Sequence, residues 1–419
     1  MQYESVVGGG VYTLSSAFQP IFSLAHRRLV GHEALLRATD AGGAAVAPRE
    51  LFRRCRSAAE SRVIDEDARR LHVATFAARP RPAEWLFVNV DASAFVAGDG
   101  EAAGDALLDA VTSAGVPPQQ VVLELLEDAI PDRVDVLRAV RRLKARGFLI
   151  ALDDFGAGHS NLDRVFALEP TFVKLDRSVV KRAARSETVR RVTTQVVSLL
   201  HECGALVVME GIERADEAAI ALDSDADFVQ GYHFARPGPL APPGQAWPVI
   251  DAVWALCEER WSGQRADYDD RLRPYVEAIG AAGAALAAGA PAEAACAAFL
   301  ALAEADVCYL LHSDGRQCGA NLSWRPRAVG DAQADPFAPL RDSSQARWSR
   351  RPYFRRAAES PGQVQVTRPY MTVQSLRMCV TLSVSYERGG ERMIVCGDVE
   401  WMPAAVRPDF VATTGYASL

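Results

Sequence analysis

The chain has 419 residues, of which 49% are hydrophobic and 24% charged, and its net charge at pH 7 is −7. This length exceeds one ordinary domain and suits two, and the composition is that of a globular protein. The negative charge argues against a surface that coats a DNA or RNA polymer, but it leaves room for a small anionic ligand at a local site.

The first 245 residues alternate short apolar runs with amphipathic helical patterns, such as residues 62–77, 133–146 and 187–203. The alternation predicts parallel strands joined by helices, and eight runs in this length favour a modified TIM-like (β/α)8 barrel. The runs are 18–24, 29–36, 86–90, 121–126, 148–152, 172–175, 206–209 and 228–234. Only residues 25–28 separate the first two runs, which is too short for a crossover, so we expect an antiparallel pair there.

A proline-rich segment ends the barrel pattern, and a helical stretch follows over residues 249–288. We therefore divide the chain into a barrel over residues 1–246, a helical connector over 247–290 and a smaller α+β domain over 291–419. The connector either transmits motion or is a passive spacer. In the last part, a helix over 292–305, a strand-turn-strand at Asp314-Gly315, a helix over 351–359 and strands over 364–372, 377–386 and 392–400 predict a small antiparallel sheet with flanking helices.

The N-terminus lacks the basic flank and apolar run of a signal peptide, and the alanine-rich stretch 278–303 is too weakly apolar for a membrane span. The eight cysteines are scattered, with no C-x-x-C pair, which favours reduced thiols over zinc sites or disulfides. We therefore expect a cytoplasmic protein.

Polar residues recur in or at the ends of the predicted barrel strands. They are Glu33, Asn89, Glu124, Glu127, Asp153, Asp154, Lys174, Asp176, Glu210, Glu213 and Gln230. Any one of them alone would more often be a helix cap or a surface charge. Together they would converge on the rim where barrel active sites lie, and divalent metal would relieve the repulsion between the carboxylates. Oxygen ligands suit Mg2+ or Mn2+, and a two-metal site suits phosphodiester hydrolysis.

The segments FQPIFSL, GHEALLR, FVNVD, LELLED, ALDDFGAGHSNL, FVKLD, MEGIE and QGYHFARP, in this order, resemble the EAL domain of cyclic di-GMP phosphodiesterases. The resemblance implies hydrolysis of cyclic di-GMP to linear pGpG with Mg2+ or Mn2+, and a homodimer. It assigns metal ligands to Glu33, Asn89, Glu124, Asp153, Asp154 and Glu210.

The same resemblance assigns roles to the remaining positions. Lys174 matches the lysine that assists the attacking water, and Asp176 and Glu213 complete the catalytic set with Glu33 and Glu210. Gln19, Arg37 and Gln230 match substrate-binding positions. Glu127 matches the residue that holds the loop after the fifth strand.

The C-terminal part resembles, more weakly, a PAS/Cache-like sensory domain through RRPYFRRA, VTRPYMTVQSLRMCVTLSV and IVCGDVEW. Several aromatic and arginine residues there either line a pocket for a small anion or metabolite or are core aromatics and solvated arginines. They are Trp348, Arg351, Tyr353, Arg368, Tyr370 and Arg377.

Three functions remain open at this point. The barrel is a phosphodiesterase regulated by the C-terminal domain, a cyclic di-GMP receptor with little turnover, or part of a scaffold that acts through its C-terminal half. The complete set of carboxylates favours the enzyme. No GGDEF-type segment is present, so synthesis of the dinucleotide is not expected.

Overall fold

The computed structural model describes residues 2–79, 81, 83–90, 100–126, 134–158, 162–242, 244–323, 343–372 and 377–401. The chain divides into two compact units, Met1–Arg260 and Trp261–Leu419.

In its described residues, the first unit contains ten strands and most of the helices. The strands are β1 (Gln2–Val7), β2 (Gly10–Ser23), β3 (Arg28–Asp40), β4 (Ala45–Val46), β5 (Trp85–Asn89), β6 (Val121–Leu126), β7 (Leu149–Phe155), β8 (Phe172–Leu175), β9 (Leu206–Met209) and β10 (Phe228–Val229). The helices are α1 (Pro48–Arg53), α2 (Ala58–Ala77), α3 (Gly100–Ser113), α4 (Val134–Ala145), α5 (Leu162–Leu168), α6 (Arg177–Arg185), α7 (Glu187–Glu202), α8 (Ala215–Asp223) and α9 (Pro248–Ala287), the last of which continues into the second unit.

Eight of these strands close into a barrel. The hydrogen-bonded ring runs β2, β10, β9, β8, β7, β6, β5, β3 and back to β2. Strand β2 is antiparallel to both of its neighbours in the ring, and the other ring pairings are parallel. The predicted barrel, including its antiparallel first pair, is therefore confirmed.

The middle of the barrel is filled by one apolar side chain from each strand. These residues are Ile21, Val30, Phe87, Val122, Ala151, Phe172, Val208 and Phe228. Side chains alternate along a strand, so residues two positions away also face the barrel interior. On the parallel strands, the next inward position towards the carboxyl end is the one that forms the rim.

The helices pack outside the ring. Gly147 and Gly204 follow α4 and α7 in the left-handed conformation, with φ angles of 97° and 80°, as expected of glycines that end helices. The amphipathic helices therefore end where the sequence predicts.

The predicted strand over residues 228–234 is wrong after its first two residues, because β10 ends at Val229. Ile212 donates its backbone N–H to the carbonyl of Gln230 and accepts from His233 N at 2.9 Å, so the chain turns against residue 212 instead of continuing in the sheet. A Cβ atom at Gly231 would overlap the Ile212 backbone, so only glycine fits there.

We expect Gly231→Ala to destabilise the first unit by about 2 kcal/mol, since the added methyl group meets backbone atoms that cannot move aside. The matched control is Gly263→Ala in α9, where the added Cβ meets no described atom within 4 Å beyond its chain neighbours and its own helix backbone, and where alanine favours the helix. Urea denaturation of both variants checks this, and equal midpoints would contradict it.

The second unit is a six-stranded antiparallel sheet with helices. Its strands are β11 (Ala305–Leu311), β12 (Gln317–Leu322), β13 (Gln365–Val366), β14 (Tyr370–Met371), β15 (Met378–Arg388) and β16 (Glu391–Glu400), and its further helices are α10 (Ala292–Leu300) and α11 (Pro352–Glu359). The strand order is β12, β11, β16, β15, β13, with β14 also paired to β15. This arrangement confirms the predicted small antiparallel sheet.

Two details of that prediction are wrong. The helix predicted over 292–305 ends at Leu300, and residue 305 already begins β11. The strand predicted over 364–372 is split into β13 and β14, with Pro369 between them, because proline has no N–H for a ladder hydrogen bond.

The two faces of this sheet pack against different helices. Cys308 and Leu310 of β11 face α10 and the end of α9, whereas Tyr309 faces α11 on the other side.

No helix in the described ranges combines the length and the hydrophobicity that a membrane span requires. The eight cysteines are free thiols, and five of them are buried.

Candidate active site

Every strand of the barrel contributes one polar side chain to the same rim. On six parallel strands, this residue lies two positions after the apolar layer: Asn89, Glu124, Asp153, Lys174, Glu210 and Gln230. On antiparallel β2 the corresponding residue lies two positions before the layer and is Gln19, whose register partner on β3 is Glu33. The strand-end residues predicted from the sequence are therefore brought together by the two-residue alternation of the strands.

Lys174 lies at the centre of this ring, and only 1% of it is exposed. Its Nζ atom lies 2.6 Å from Glu210 Oε1, 3.1 Å from Asp153 Oδ1 and 3.6 Å from Glu33 Oε2, and it also forms an ion pair with Glu124. Four carboxylates thus surround one cation. Such an excess of negative charge is costly in a buried site.

Two amide side chains also connect the carboxylates. Asn89 donates from Nδ2 to Glu124 Oε2 at 3.0 Å and to Glu33 Oε1 at 3.3 Å. Gln230 donates from Nε2 to Glu33 Oε2 at 2.7 Å. These bonds hold Glu33 and Glu124 in fixed orientations before any ligand binds.

The electrostatics of the ring shift the pKa values of its members. Burial, together with the neighbouring Glu33, raises the pKa of Glu124 well above its usual range. Burial also raises the pKa of Glu210 to about 8, although Lys174 opposes the rise. Burial alone would lower the pKa of Lys174, but the surrounding carboxylates, with Asp153 first, raise it well above its ordinary value. Lys174 therefore stays protonated, and the four carboxylates around it exceed its single positive charge.

Two groups of three carboxylates have ligand atoms within 4.8 Å of one another, and both include Glu210. The first group adds Glu33 and Glu124, and the second adds Asp153 and Asp154. Adjacent residues of a regular strand point to opposite faces, but β7 is irregular between residues 152 and 155, and Asp154 has a φ of 58°. This backbone turn lets both aspartates belong to one group.

An open cavity of about 280 Å3 lies over the rim. Seven of the predicted site residues line it: Gln19, Glu33, Asp154, Asp176, Glu210, Glu213 and Gln230. Asp176 also caps α6 by accepting from Ser178 N at 2.9 Å, and Glu213 Oε1 lies 3.3 Å from Lys181 Nζ. Both residues thus combine a structural contact with a place at the cavity wall.

Asn89, Glu124, Asp153 and Lys174 belong to the contacts of the rim itself, and two further predicted residues are placed neither in these contacts nor in the cavity wall. Arg37 lies four residues beyond Glu33 on β3, is exposed, and donates to the carbonyl of Leu36 instead. Glu127 lies outside the described residues. Their predicted roles stay predictions.

The cavity wall also contains residues that the sequence analysis missed. Arg177 follows the Asp176 cap, and Tyr232 is half exposed, with the guanidinium of Arg236 4.5 Å from the centre of its ring. Their positions directly after FVKLD and within QGYHFARP were the available signal.

Comparison with known families agrees with this architecture. The model of the EAL domain family matches residues 12–237, which is more than half of the chain. The chain belongs to the EAL domain family. The barrel described above is its EAL domain, and all of the rim residues lie within the match.

Curated relatives match parts of this EAL domain. Cyclic di-GMP phosphodiesterase RocR of Pseudomonas aeruginosa is 34% identical over 130 residues, which are 31% of this chain and 33% of RocR. Cyclic di-GMP phosphodiesterase PdeL of Escherichia coli is 30% identical over 153 residues, which are 36% of this chain and 41% of PdeL. The aligned segments span less than half of either relative.

A solved structure is similar over nearly the whole chain. The Bacillus subtilis YkuI protein, which has an EAL domain and was solved with substrate c-di-GMP and calcium, aligns with a TM-score of 0.77 at 19% identity. The alignment covers 93% of this chain and 96% of YkuI. The two proteins therefore share a fold.

Outside the EAL domain, the second unit contains two cavities that share Arg351, Tyr353 and Tyr370. The inner one is also lined by Trp348 and Asp398, and the outer one by Arg368. Five of the six residues predicted for a pocket therefore border a cavity. The sixth, Arg377, forms an ion pair with Glu400 at 2.8 Å. Asp398 was missed, although an acid inside the apolar run IVCGDV was a signal for it.

We expect Asp398 to make the second unit less stable as the pH rises. Burial raises its pKa to about 7, although hydrogen bonds from Thr381 and Tyr309 oppose the rise. Both the folded and unfolded chains are protonated at Asp398 below its ordinary pKa of 3.8. Between that value and about 7 only the unfolded chain loses the proton, so the free energy of unfolding falls by about 4 kcal/mol over this interval.

We expect Asp398→Asn to remove this dependence on pH. The measurement is hydrogen exchange of the β15 and β16 amides between about pH 4 and pH 8, corrected for the intrinsic effect of pH on exchange. The exposed Glu387→Gln on β15 is the control. The same slope in the wild type and in Asp398→Asn would contradict the assignment.

Proposed function

We propose that the EAL domain hydrolyses cyclic di-GMP to linear pGpG in a reaction that depends on divalent metal. Two groups of three carboxylates have Glu210 in common, and Glu210 contacts the buried Lys174. This arrangement is the observation that carries the proposal. RocR and PdeL, which match this domain, are named cyclic di-GMP phosphodiesterases, and this supports the choice of substrate.

The residues at the rim fit two divalent cations. Four carboxylates face one lysine, and burial raises the pKa values of Glu124 and Glu210, so added positive charge would relieve the site. The donors are oxygen atoms, which suits Mg2+ or Mn2+ better than zinc. The proposed ligands are Glu33, Asn89, Glu124, Asp153, Asp154 and Glu210. When bound, the cations would supply Lewis-acid polarisation of the scissile phosphate and lower the pKa of the attacking water.

The other rim residues have proposed roles that do not require direct metal contact. Lys174 stays protonated, so its ammonium can donate to the attacking water or to a phosphate oxygen. Gln19, Gln230 and Arg37 would bind the substrate, and Asp176 and Glu213 would support the catalytic arrangement. Attack of water on one phosphorus atom breaks its bond to the 3′ oxygen, which leaves the 5′ phosphate of linear pGpG.

Further parts of the proposal concern the whole protein. We propose that it is a homodimer, that Glu127 anchors the loop after β7, and that the second unit is a PAS/Cache-like domain that regulates hydrolysis, with residues 247–290 as the connector.

The test is incubation of the purified full chain with cyclic di-GMP and Mg2+ or Mn2+, with chromatographic detection of pGpG. We expect turnover with metal and none with EDTA. Tight binding of cyclic di-GMP without turnover in either metal would overturn the enzyme in favour of a receptor. If the chain neither binds nor hydrolyses cyclic di-GMP, both the enzyme and the receptor are overturned.

A further inference from the structure

The second unit contains a binding site with opposite charges at its two ends. We propose that its two cavities together bind a small zwitterion with an ammonium group and a carboxylate, which is the chemistry of an α-amino acid. The ammonium would lie against Asp398 in the inner cavity, and the carboxylate would lie against Arg351 in the outer one.

The inner end is built around a carboxylate with one oxygen still available. Asp398 is 5% exposed, and its Oδ1 accepts from Thr381 Oγ1 at 2.7 Å and from Tyr309 OH at 3.4 Å. Within the described residues, Oδ2 accepts no hydrogen bond, and no lysine or arginine forms an ion pair with Asp398. A buried carboxylate without a cation is unfavourable, and a ligand ammonium would supply both the charge and the missing donors.

The walls of the inner cavity suit a cation as well. Tyr309 and Tyr353 pack edge to face with ring centroids 6.1 Å apart, and Trp348 and Tyr370 complete an aromatic lining. Aromatic faces attract ammonium groups. Trp348 is held in place because its Nε1 donates to Gln317 Oε1 at 3.0 Å, so the lining is ordered before a ligand binds.

The outer end has the opposite charge. Arg351 and Arg368 line it, and neither forms an ion pair with a carboxylate in the described part of the chain. The guanidinium of Arg351 lies 5.9 Å from the centre of the Trp348 ring, at the boundary between the two cavities. An arginine so placed can bind a carboxylate with two parallel hydrogen bonds.

The sizes of the cavities agree with this orientation. The inner one offers about 20 Å3, which is room for a single group the size of a water molecule, such as an ammonium. The outer one offers about 270 Å3, enough for the rest of a small ligand. A ligand with only a negative charge would leave Asp398 without a cationic partner. A ligand with only an ammonium group would leave Arg351 and Arg368 without a carboxylate to bind.

The test is direct binding to the full chain, which does not depend on phosphodiester hydrolysis. Each standard L-α-amino acid is screened at millimolar concentration by thermal shift, and those that raise the melting temperature are titrated by calorimetry. Each binder is then compared with its decarboxylated amine and its deaminated acid. We expect both analogues to bind at least about tenfold more weakly, because each loses one charged contact.

Two variants locate the site. Asp398→Asn and Arg351→Gln are each expected to weaken binding by at least about tenfold. Arg355→Gln is the matched control, because Arg355 lies on α11, is exposed and lines neither cavity. The melting temperature of each ligand-free variant shows whether it is folded, and Arg351 is exposed, so its replacement leaves the core unchanged.

Several results would overturn the proposal. If no amino acid binds, these residues are core aromatics and solvated arginines. If the amine binds as tightly as the amino acid, the carboxylate contact at Arg351 is wrong. If Asp398→Asn binds with unchanged affinity, the ammonium does not lie at Asp398.

Discussion

Glu210→Gln is expected to lower the rate of metal-dependent hydrolysis of cyclic di-GMP by at least about a hundredfold. Glu210 is the one residue common to both candidate metal groups, so its replacement removes a ligand from each. Glutamine keeps the size of the side chain. It also introduces no buried charge, and Lys174 keeps its contacts with Glu33, Glu124 and Asp153, so the fold is retained.

The variant therefore separates function from stability. We expect calorimetric titration with Mn2+ to show two ions in the wild type and weakened binding at both sites in Glu210→Gln, with an unchanged melting temperature in EDTA. Glu202→Gln, at the exposed end of α7, is the control. Hydrolysis by Glu210→Gln at the rate of this control would show that the shared carboxylate is not a metal ligand.

Lys174→Met is expected to lower both stability and activity. In the absence of metal, Lys174 is the only cation that forms an ion pair with Glu33, Glu124, Asp153 or Glu210 among the described residues. Removing one partner of a buried ion pair leaves charges uncompensated, and we expect a loss of about 3 kcal/mol in EDTA. Added Mn2+ should restore much of this stability, because the ions bring positive charge to the same carboxylates.

Activity should not return with the stability, because the ammonium donor to water or phosphate is gone. Melting curves in EDTA and in Mn2+, followed by the pGpG assay, measure the two effects separately. Lys144→Met is the control, since Lys144 on α4 contacts the carbonyl of Glu169, which precedes the amino end of β8 and so lies at the end of that strand away from the rim. Equal melting temperatures for Lys174→Met and the wild type in EDTA would show that the ion pairs do not stabilise the metal-free barrel.

The barrel and its rim could be predicted because strand alternation and chain order carry both. Six of the rim residues lie two positions after an apolar residue that fills the barrel, and this period of two is visible in the sequence. The eight short apolar runs and the tight turn between the first two predicted that the strands close into a barrel. Strands β1 and β4 were missed, because they pair outside the ring and their pattern is only weakly apolar.

The fourfold contact of Lys174 could not be predicted, because it depends on distances across the barrel. The lysine itself was a signal: of 46 lysine and arginine residues, only residues 144, 174 and 181 are lysine. An ammonium is a compact charge that can contact several carboxylates at once, whereas a planar guanidinium favours one or two. The short β10 and the position of Arg37 also depend on tertiary packing rather than on local pattern.

The irregularity in β7 limits which substitutions position 154 can accept during evolution. Two neighbouring acids reach one site only because the backbone at residue 154 adopts a left-handed conformation. Aspartate and asparagine tolerate that conformation better than other residues with a side chain. Position 154 is therefore restricted twice, by the backbone and by charge, while a ligand on a regular strand such as Glu124 is restricted by its chemistry alone. Among descendants of this sequence, Asp154→Asn should be the commonest replacement in barrels that have lost turnover but kept their shape.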